Sequence, residues 1–451
     1  MAGESAQRGE GDLAIGGERA LSAHPLRAAV LRELHARPFV PVETPRRILH
    51  AAFLLDGAGA QKDREALTRL CVARGVPAPA AGARHHYVVF GGASLRWESH
   101  AEFSTYTWGL PSTPLAVGTL PFQPAAASLA SPFSEVPQPG PLLVAVDLHL
   151  VPDSAEDFML ERVFDPASLA RSDVNDGLAE IATDFRADPS GFVRVLVRDR
   201  GLSAESTGAL VQRILEIETY RTLALLGLPE AQRLAPAIAG IENRLNEAAT
   251  AMTRTAGLSD NHRLLDELVA LAAELEANAA GSLFRFGASR AYMEIVELRL
   301  ATIREVPLPG WPTWQQFLNR RIAPAMRTCV SVEERQEKIS RKLANAADLL
   351  RTRVNVELEQ QNRDLLTSMN ERTRMQLRLQ RTVEGLSVAA ISYYVVSLIH
   401  YLIKGLYEAG LNDRLGFHLD ARLVSAALVP VVVLAVWGVV RRIRNAHGDE
   451  E

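Results

Sequence analysis

The sequence predicts an α+β or α/β cytosolic domain, then an all-α helical region, a long stalk helix and a two-helix transmembrane hairpin. Three observations carry this prediction. Short β-like runs alternate with helical ones up to about residue 200, apolar residues then recur at helical spacing, and two apolar stretches lie close together near the C-terminus. The division that follows is residues 1–23 as a disordered tail, 24–202 as the α/β domain, 203–330 as a helical domain and 331–382 as the stalk. Residues 383–403 and 423–440 are the two spans, 404–422 a short outer loop, and 441–451 a basic cytoplasmic tail.

The opening residues Met1 to Ala20 are rich in Gly, Glu and Ser and lack the apolar core of a signal peptide, so they read as a disordered tail. With only Cys71 and Cys329, far apart, a disulfide framework is excluded, and no Cys-His cluster has zinc-binding spacing. A net charge of -4 over 451 residues leaves no basic domain, so nucleic acid is not an expected partner.

Within the first domain, Arg47 to Leu55 reads as a buried strand, Lys62 to Ala73 as an amphipathic helix with Leu67 and Leu70 inward, and His85 to Phe90 and Leu142 to Val151 as further strands. Pro, Ser and Ala between Leu110 and Pro141 end regular structure. The turn built by Asp188, Pro189, Ser190 and Gly191 leads into a strand at Gly191 to Arg198.

One constellation here has residue types that bind metal or move protons. Read as a single strand, Leu95 to Thr107 places Trp97, Ala101 and Phe103 on one face and Glu98, His100, Glu102 and Tyr106 on the other. Two carboxylates flanking an imidazole suit a metal or a proton relay, and the same pattern also suits the wet face of a sheet. His24, His35, His85 and His86 are further imidazoles whose positions the sequence does not fix. Arg186 beside Asp184 suits either an anion or a structural ion pair. Gly57 and Gly59 lack a third glycine and no Walker lysine appears, so no cofactor is evident.

Ser203 and Ser206 offer N-cap chemistry for a helix carrying Leu210, Ile214, Ile217, Leu223 and Leu226, which Gly227 and Pro229 stop. Helices follow at about Glu230 to Met252, Ser259 to Ala280 and Gly287 to Ile303. Glu216 and Glu218 are too close along the chain to share a helical face and are expected to be solvated or ion-paired. Pro307, Pro309 and Pro312 make a break, with Trp311 and Trp314 as packing anchors. From Ser331 to Thr382 there is no Pro or Gly, and Ile339, Leu343, Leu350, Val354, Leu358, Leu365 and Met369 fall near one seam. Such a helix suits a coiled coil, a bundle member or a stalk, and makes a homo-oligomer an expected assembly.

The first span sorts into two arcs at 100° per residue. Ser387, Tyr393, Tyr394, Ser397, His400 and Tyr401 share one arc, continued by Lys404, while Ile391, Val395, Leu398, Ile399 and Leu402 fill the other. Polar groups facing acyl chains are expensive, so the polar arc is expected to face protein or water. It either seals a helix-helix contact or lines an aqueous path for an ion. The second span is Val-, Leu- and Ala-rich with Pro430 inside and Trp437 near its end. Arg372, Arg374, Arg378 and Arg381 precede the first span and Arg441, Arg442 and Arg444 follow the second, against Lys404, Arg414 and Arg422 in the loop. That bias predicts both termini in the cytoplasm.

The runs HPLRAAVLRELHARP (His24 to Pro38), WESHAEFSTYT (Trp97 to Thr107), QRILEIETYRTLALLGLP (Gln212 to Pro229) and QLRLQRTVEGLSVAAISYY (Gln376 to Tyr394) resemble a bacterial membrane-anchored family, domain of unknown function 3422. The likeness covers nearly the whole chain and implies a bacterial inner-membrane protein without a known reaction. Ser99 and Ala101 stand where that family usually has Arg and Thr. In architecture the chain also looks like CorA-type divalent-cation transporters. Their Gly-Met-Asn signature is absent from the corresponding stretch, Leu406 to Asn412. The expected partners are therefore the lipid bilayer, further copies of the chain and an unidentified ion or small molecule. A scaffold or regulatory role leads, an oligomeric channel or transporter follows, and catalysis has the least support.

Overall fold

The structure, a computed structural model, describes residues 13–14, 20–21, 24–27, 30–31, 39–57, 59–115, 119–125, 138–153, 159–254, 257–408 and 421–447. Most of the expected tail, His35 and most of the expected outer loop fall outside them. Two short segments of that tail, β1 (Leu13–Ala14) and β2 (Ala20–Leu21), pair antiparallel.

The remaining strands are β3 (Arg46–Leu54), β4 (His85–Phe90), β5 (Ala93–Ser99), β6 (Phe103–Pro111), β7 (Leu142–Pro152), β8 (Ala170–Val174), β9 (Ala179–Thr183), β10 (Val193–Asp199) and β11 (Val306–Pro307). They form one nine-stranded sheet in the order β11-β8-β9-β10-β7-β3-β6-β5-β4. Its neighbours are antiparallel except β7 and β10, which run parallel. A parallel pair needs a crossover, and the chain between them supplies the 3-10 turn Leu160–Arg162 and the β8–β9 hairpin. The architecture is thus α+β with a mixed sheet. β8 and β9 have no counterpart in the sequence reading because charges interrupt their apolar pattern. Those charges pair once the hairpin forms: Arg171 with Glu180 at 2.6 Å, and Arg200 with Asp173 at 2.8 Å and Glu180 at 2.9 Å.

Strand alternation divides the core. Leu49, Ala51 and Phe53 of β3 pack with Leu67 and Cys71 of α1 (Gly59–Ala73), whereas Ile48 and Ala52 face the opposite layer. That layer comprises Leu210, Ile214 and Ile217 of α2 (Ala204–Leu225), Val296 and Leu300 of α4 (Leu258–Ile303), and Trp314 and Phe317 of α5 (Trp314–Glu408). Sheet and helices therefore share one core. By compactness the chain divides into Met1–Thr250 with Glu267–Ala346, and Ala251–Asp266 with Ala347–Glu451.

A buried carboxylate fixes α1 to the sheet. Asp63, 1% exposed, accepts hydrogen bonds from Trp97 Nε1 at 2.8 Å and Tyr106 Oη at 2.5 Å. Burial, with Asp63 alongside, pushes the Tyr106 hydroxyl well above its ordinary range, so it remains a donor. Tyr106→Phe keeps the ring and removes one donor, which should lower stability by about 1–3 kcal/mol. Urea unfolding followed by tryptophan fluorescence tests this, and an unchanged midpoint would refute it.

Ser203 caps α2, its Oγ accepting from Ser206 N at 3.2 Å. α3 (Gly227–Arg254) begins at the glycine expected to stop the preceding helix. The expected break between Ala280 and Gly287 is absent, because α4 runs through Gly281 and Gly287. Glycine inside a helix costs about 1 kcal/mol against alanine, and burial of Leu275, Phe286, Val296 and Leu300 along α4 outweighs it.

α5 also starts earlier than the expected stalk. A capping box and an acidic neighbour hold its first turn: Gln316 N donates to Thr313 Oγ1 at 3.1 Å, and Trp314 N and Gln315 N donate to Glu305 at 2.8 and 2.9 Å. Trp314 is fully buried, as an anchor should be. Along the expected seam Ile339, Leu343, Leu350 and Val354 are buried, whereas Leu365 and Met369 are 62% and 56% exposed.

The second unit contains the rest of α5 together with α6 (Ala421–His447). Asn261 Nδ2 donates to Glu357 at 2.8 Å and Arg353 donates to Met252 O at 2.7 Å. Beyond these contacts every residue of 361–383 is exposed.

Candidate functional site

Ser99 pairs with Ser104, and His100 N donates to Phe103 O at 2.8 Å, so β5 and β6 are the arms of a tight hairpin. The stretch Leu95 to Thr107 is therefore two strands and a turn. The period-two assignment of faces fails across the turn: Trp97 and Tyr106 are cross-strand partners sharing one face. Glu98, His100 and Glu102 separate accordingly. Glu98 and His100 border a cleft against α2, while Glu102 accepts from Arg285 at 2.5 Å and from Tyr292 Oη at 2.6 Å. Among the described residues no group of three or more His, Cys, Asp or Glu is arranged to hold a metal ion.

His50 of β3 forms the back of the cleft. Its Nδ1 lies 2.8 Å from Thr107 Oγ1 and its Nε2 3.0 Å from Thr219 Oγ1. Thr219 uses its own proton on Leu215 O at 2.8 Å, so Nε2 must donate to Thr219 and Nδ1 accept from Thr107. Burial first, then the nearby Arg96 and His100, lower the His50 pKa to about 3. The imidazole is neutral at pH 7, with both nitrogens occupied and its basicity far below that of a general base at that pH.

In front of His50, Arg96 Nη1 donates to Gln212 Oε1 at 2.7 Å and Gln212 Nε2 donates to Glu216 Oε1 at 2.9 Å. Arg299 closes the chain on the other oxygen of Glu216. His100 stacks on Phe103 with centroids 4.1 Å apart, and Tyr220 stacks on Tyr292 at 5.5 Å. The enclosed space is about 20 Å³, enough for one water, and the buried Thr105 Oγ1 beside it has no protein partner. A second, more apolar chamber of about 50 Å³ has Val40, Val42 and Val211 in its walls and shares Arg96 and Gln212 with the first. The Arg96–Gln212 bond thus lies where the two chambers meet. Gly208 lets residues 39–43 cross α2, since a Cβ there would sit 2.0 Å from Val40 O. This arrangement is a network of paired polar groups around a water-sized space.

The opposite sheet face carries a buried ionic group. Arg47 donates to both oxygens of Asp147 at 2.9 and 2.5 Å and to Pro124 O at 2.7 Å. His149 Nδ1 accepts from Phe122 N at 3.2 Å, and its Nε2 lies 3.7 Å from Asp147 Oδ1. Burial raises the Asp147 pKa against the lowering influence of Arg47, and burial lowers that of His149 to about 3. The remaining polar residues singled out from the sequence lie apart from the cleft. Arg186 pairs with Asp165 rather than Asp184, Glu218 pairs with Arg221 at 2.5 Å, His24 Nδ1 accepts from Leu26 N, His85 lies opposite Glu98 on the neighbouring strand, and His86 bonds Pro77 O.

Two helices are long and apolar enough to cross a membrane, within Trp314–Gly405 and Arg422–Arg442. The structure divides the polar arc of the first. His400 Nδ1 lies 3.0 Å from Ser425 Oγ of α6, and Ser397 is half-buried. Tyr393, Tyr394 and Tyr401 are 69%, 68% and 72% exposed. Ser387 is exposed and bonds Val383 O within its own helix. Ser392, outside the polar arc, is at 4% exposure the most buried polar side chain of residues 383–403.

The chain matches the family described as protein of unknown function (DUF3422) over residues 22–447, and it belongs to that family. No curated protein and no solved structure matches the chain. The architectural likeness to CorA-type transporters accordingly has no relative or solved structure behind it.

Proposed function

We propose that this member of the DUF3422 family is a bacterial inner-membrane protein, held by the α5–α6 hairpin with both ends in the cytoplasm, whose sheet-and-helix body is a scaffold or regulatory module. The observation that carries the reading is the apolar surface of the hairpin: Leu386, Leu398, Leu402 and Leu434 are 75%, 67%, 67% and 65% exposed. Such surface is unfavourable in water and suited to acyl chains. The arginines flanking both spans support the orientation. The protein is expected to remain in membranes through alkaline carbonate extraction, with a C-terminal tag inaccessible to reagents added outside spheroplasts. Release by carbonate, or a tag labelled from outside, would refute the reading.

A second reading is an oligomeric ion channel or divalent-cation transporter with the apolar C-terminal part of α5 lining the pore. The exposed Tyr393, Tyr394 and Tyr401 favour it, because hydroxyls facing lipid are costly whereas between subunits they find partners. Native mass measurement in detergent and divalent-cation flux in liposomes separate the two readings. A monomer without flux removes the channel.

A further inference from the structure

We propose that the furrow between α4 and α5 in the sheet-containing unit is a docking site for a basic amphipathic helix of a partner protein. It encloses about 500 Å³. Its lining falls between residues 275 and 286 on α4 and between 330 and 340 on α5. Each set is a single helical stripe about 15 Å long, so the furrow is a trough of roughly three turns that fits another helix better than a compact ligand.

Charge and polarity narrow the occupant. Leu275 and Phe286 are buried in the floor, and Leu283 is 65% exposed on a wall, which together offer an apolar seat. Glu276, Glu333, Glu334 and Glu337 line the same space, and no Lys or Arg does. Glu333 is paired with Arg290 and Glu334 with Lys338, while Glu276 and Glu337 have no ion-pair partner among the described residues. Gln336, itself 6% exposed, lines the trough with a buried Nε2 that has no acceptor. An apolar stripe bordered by lysine or arginine would cover the floor, meet the free glutamates and bring a helix-end carbonyl or side-chain oxygen to Gln336. The site lies outside the hairpin, so it stands or falls separately from membrane insertion.

The test uses the full chain in zwitterionic-lipid nanodiscs and a fluorescent synthetic peptide of about five helical turns, leucines on one face and lysines on the other. Empty nanodiscs supply the lipid background. Binding is expected to weaken at least about tenfold in Glu276→Lys/Glu337→Lys and in Leu283→Glu. It should be unchanged in Glu247→Lys/Glu297→Lys, which makes the same charge change at exposed positions outside the trough. Replacing the peptide's lysines by glutamates should abolish binding. Because Leu283 is largely exposed, its variant reports on the trough even if the charge-reversed variant misfolds. Equal binding by the native protein and Leu283→Glu, equal loss in the control variant, or equal affinity for the glutamate peptide would overturn the proposal. So would a photo-cross-link from position 283 that reaches only a second copy of the chain.

Discussion

Arg47→Ala should cost the sheet domain about 3–5 kcal/mol, the penalty of leaving a buried charge without its partner. Arg47 and Asp147 have side-chain exposures of 6% and 1%, and the guanidinium meets both carboxylate oxygens. Removing it leaves buried Asp147 without its ion-pair partner, with His149 Nε2 3.7 Å away and the weaker influence of Arg194 set against that of Asp188. The carboxyl then gains from protonation. Its folded pKa, already raised by burial, would rise further above the unfolded value, so stability would be lost as pH increases through it. The difference between variant and native protein should therefore be greater at pH 8 than at pH 5. Urea midpoints at both pH values measure this, and Arg47→Leu/Asp147→Leu should recover most of the loss because it removes both charges together. A variant within about 1 kcal/mol of native at pH 8 would mean that the pair behaves like a surface bridge.

Much of the chain is legible in its sequence where the signal is local and long. β4 is read at its observed bounds, β3, β7 and β10 to within a few residues, and the two long apolar helical stretches from hydropathy alone, since alternation and unbroken apolar runs require no knowledge of distant neighbours. Long-range structure is less legible. Nothing in the run of β3 marks His50 as the back of a cleft, because Thr107 and Thr219 reach it from another strand and from α2. The hairpin at His100 to Glu102 lacks the glycine or asparagine that signals a tight turn, so β5 and β6 read as one strand and Glu102 joins Glu98 and His100. Its actual partners, Arg285 and Tyr292, belong to α4. One available signal is a polar residue inside an apolar strand: His50, Asp147 and His149 all interrupt runs that otherwise read as buried, and all three prove buried.

Those two histidines predict a steep loss of stability in mild acid. His50 and His149 each have a folded pKa of about 3 against an ordinary 6.5. Between these values the unfolded chain binds protons that the folded chain refuses, so stability is full above about pH 6.5 and falls as pH decreases towards 3. By pH 5 each histidine is about 1.5 pH units below its unfolded pKa, which corresponds to roughly 2 kcal/mol apiece and roughly 4 together. Urea midpoints at pH 8, 6.5 and 5 should fall accordingly, and His50→Gln/His149→Gln should flatten the fall whatever its own stability at pH 8. Equal losses in the native and double-variant proteins would mean that other groups set the acid limit.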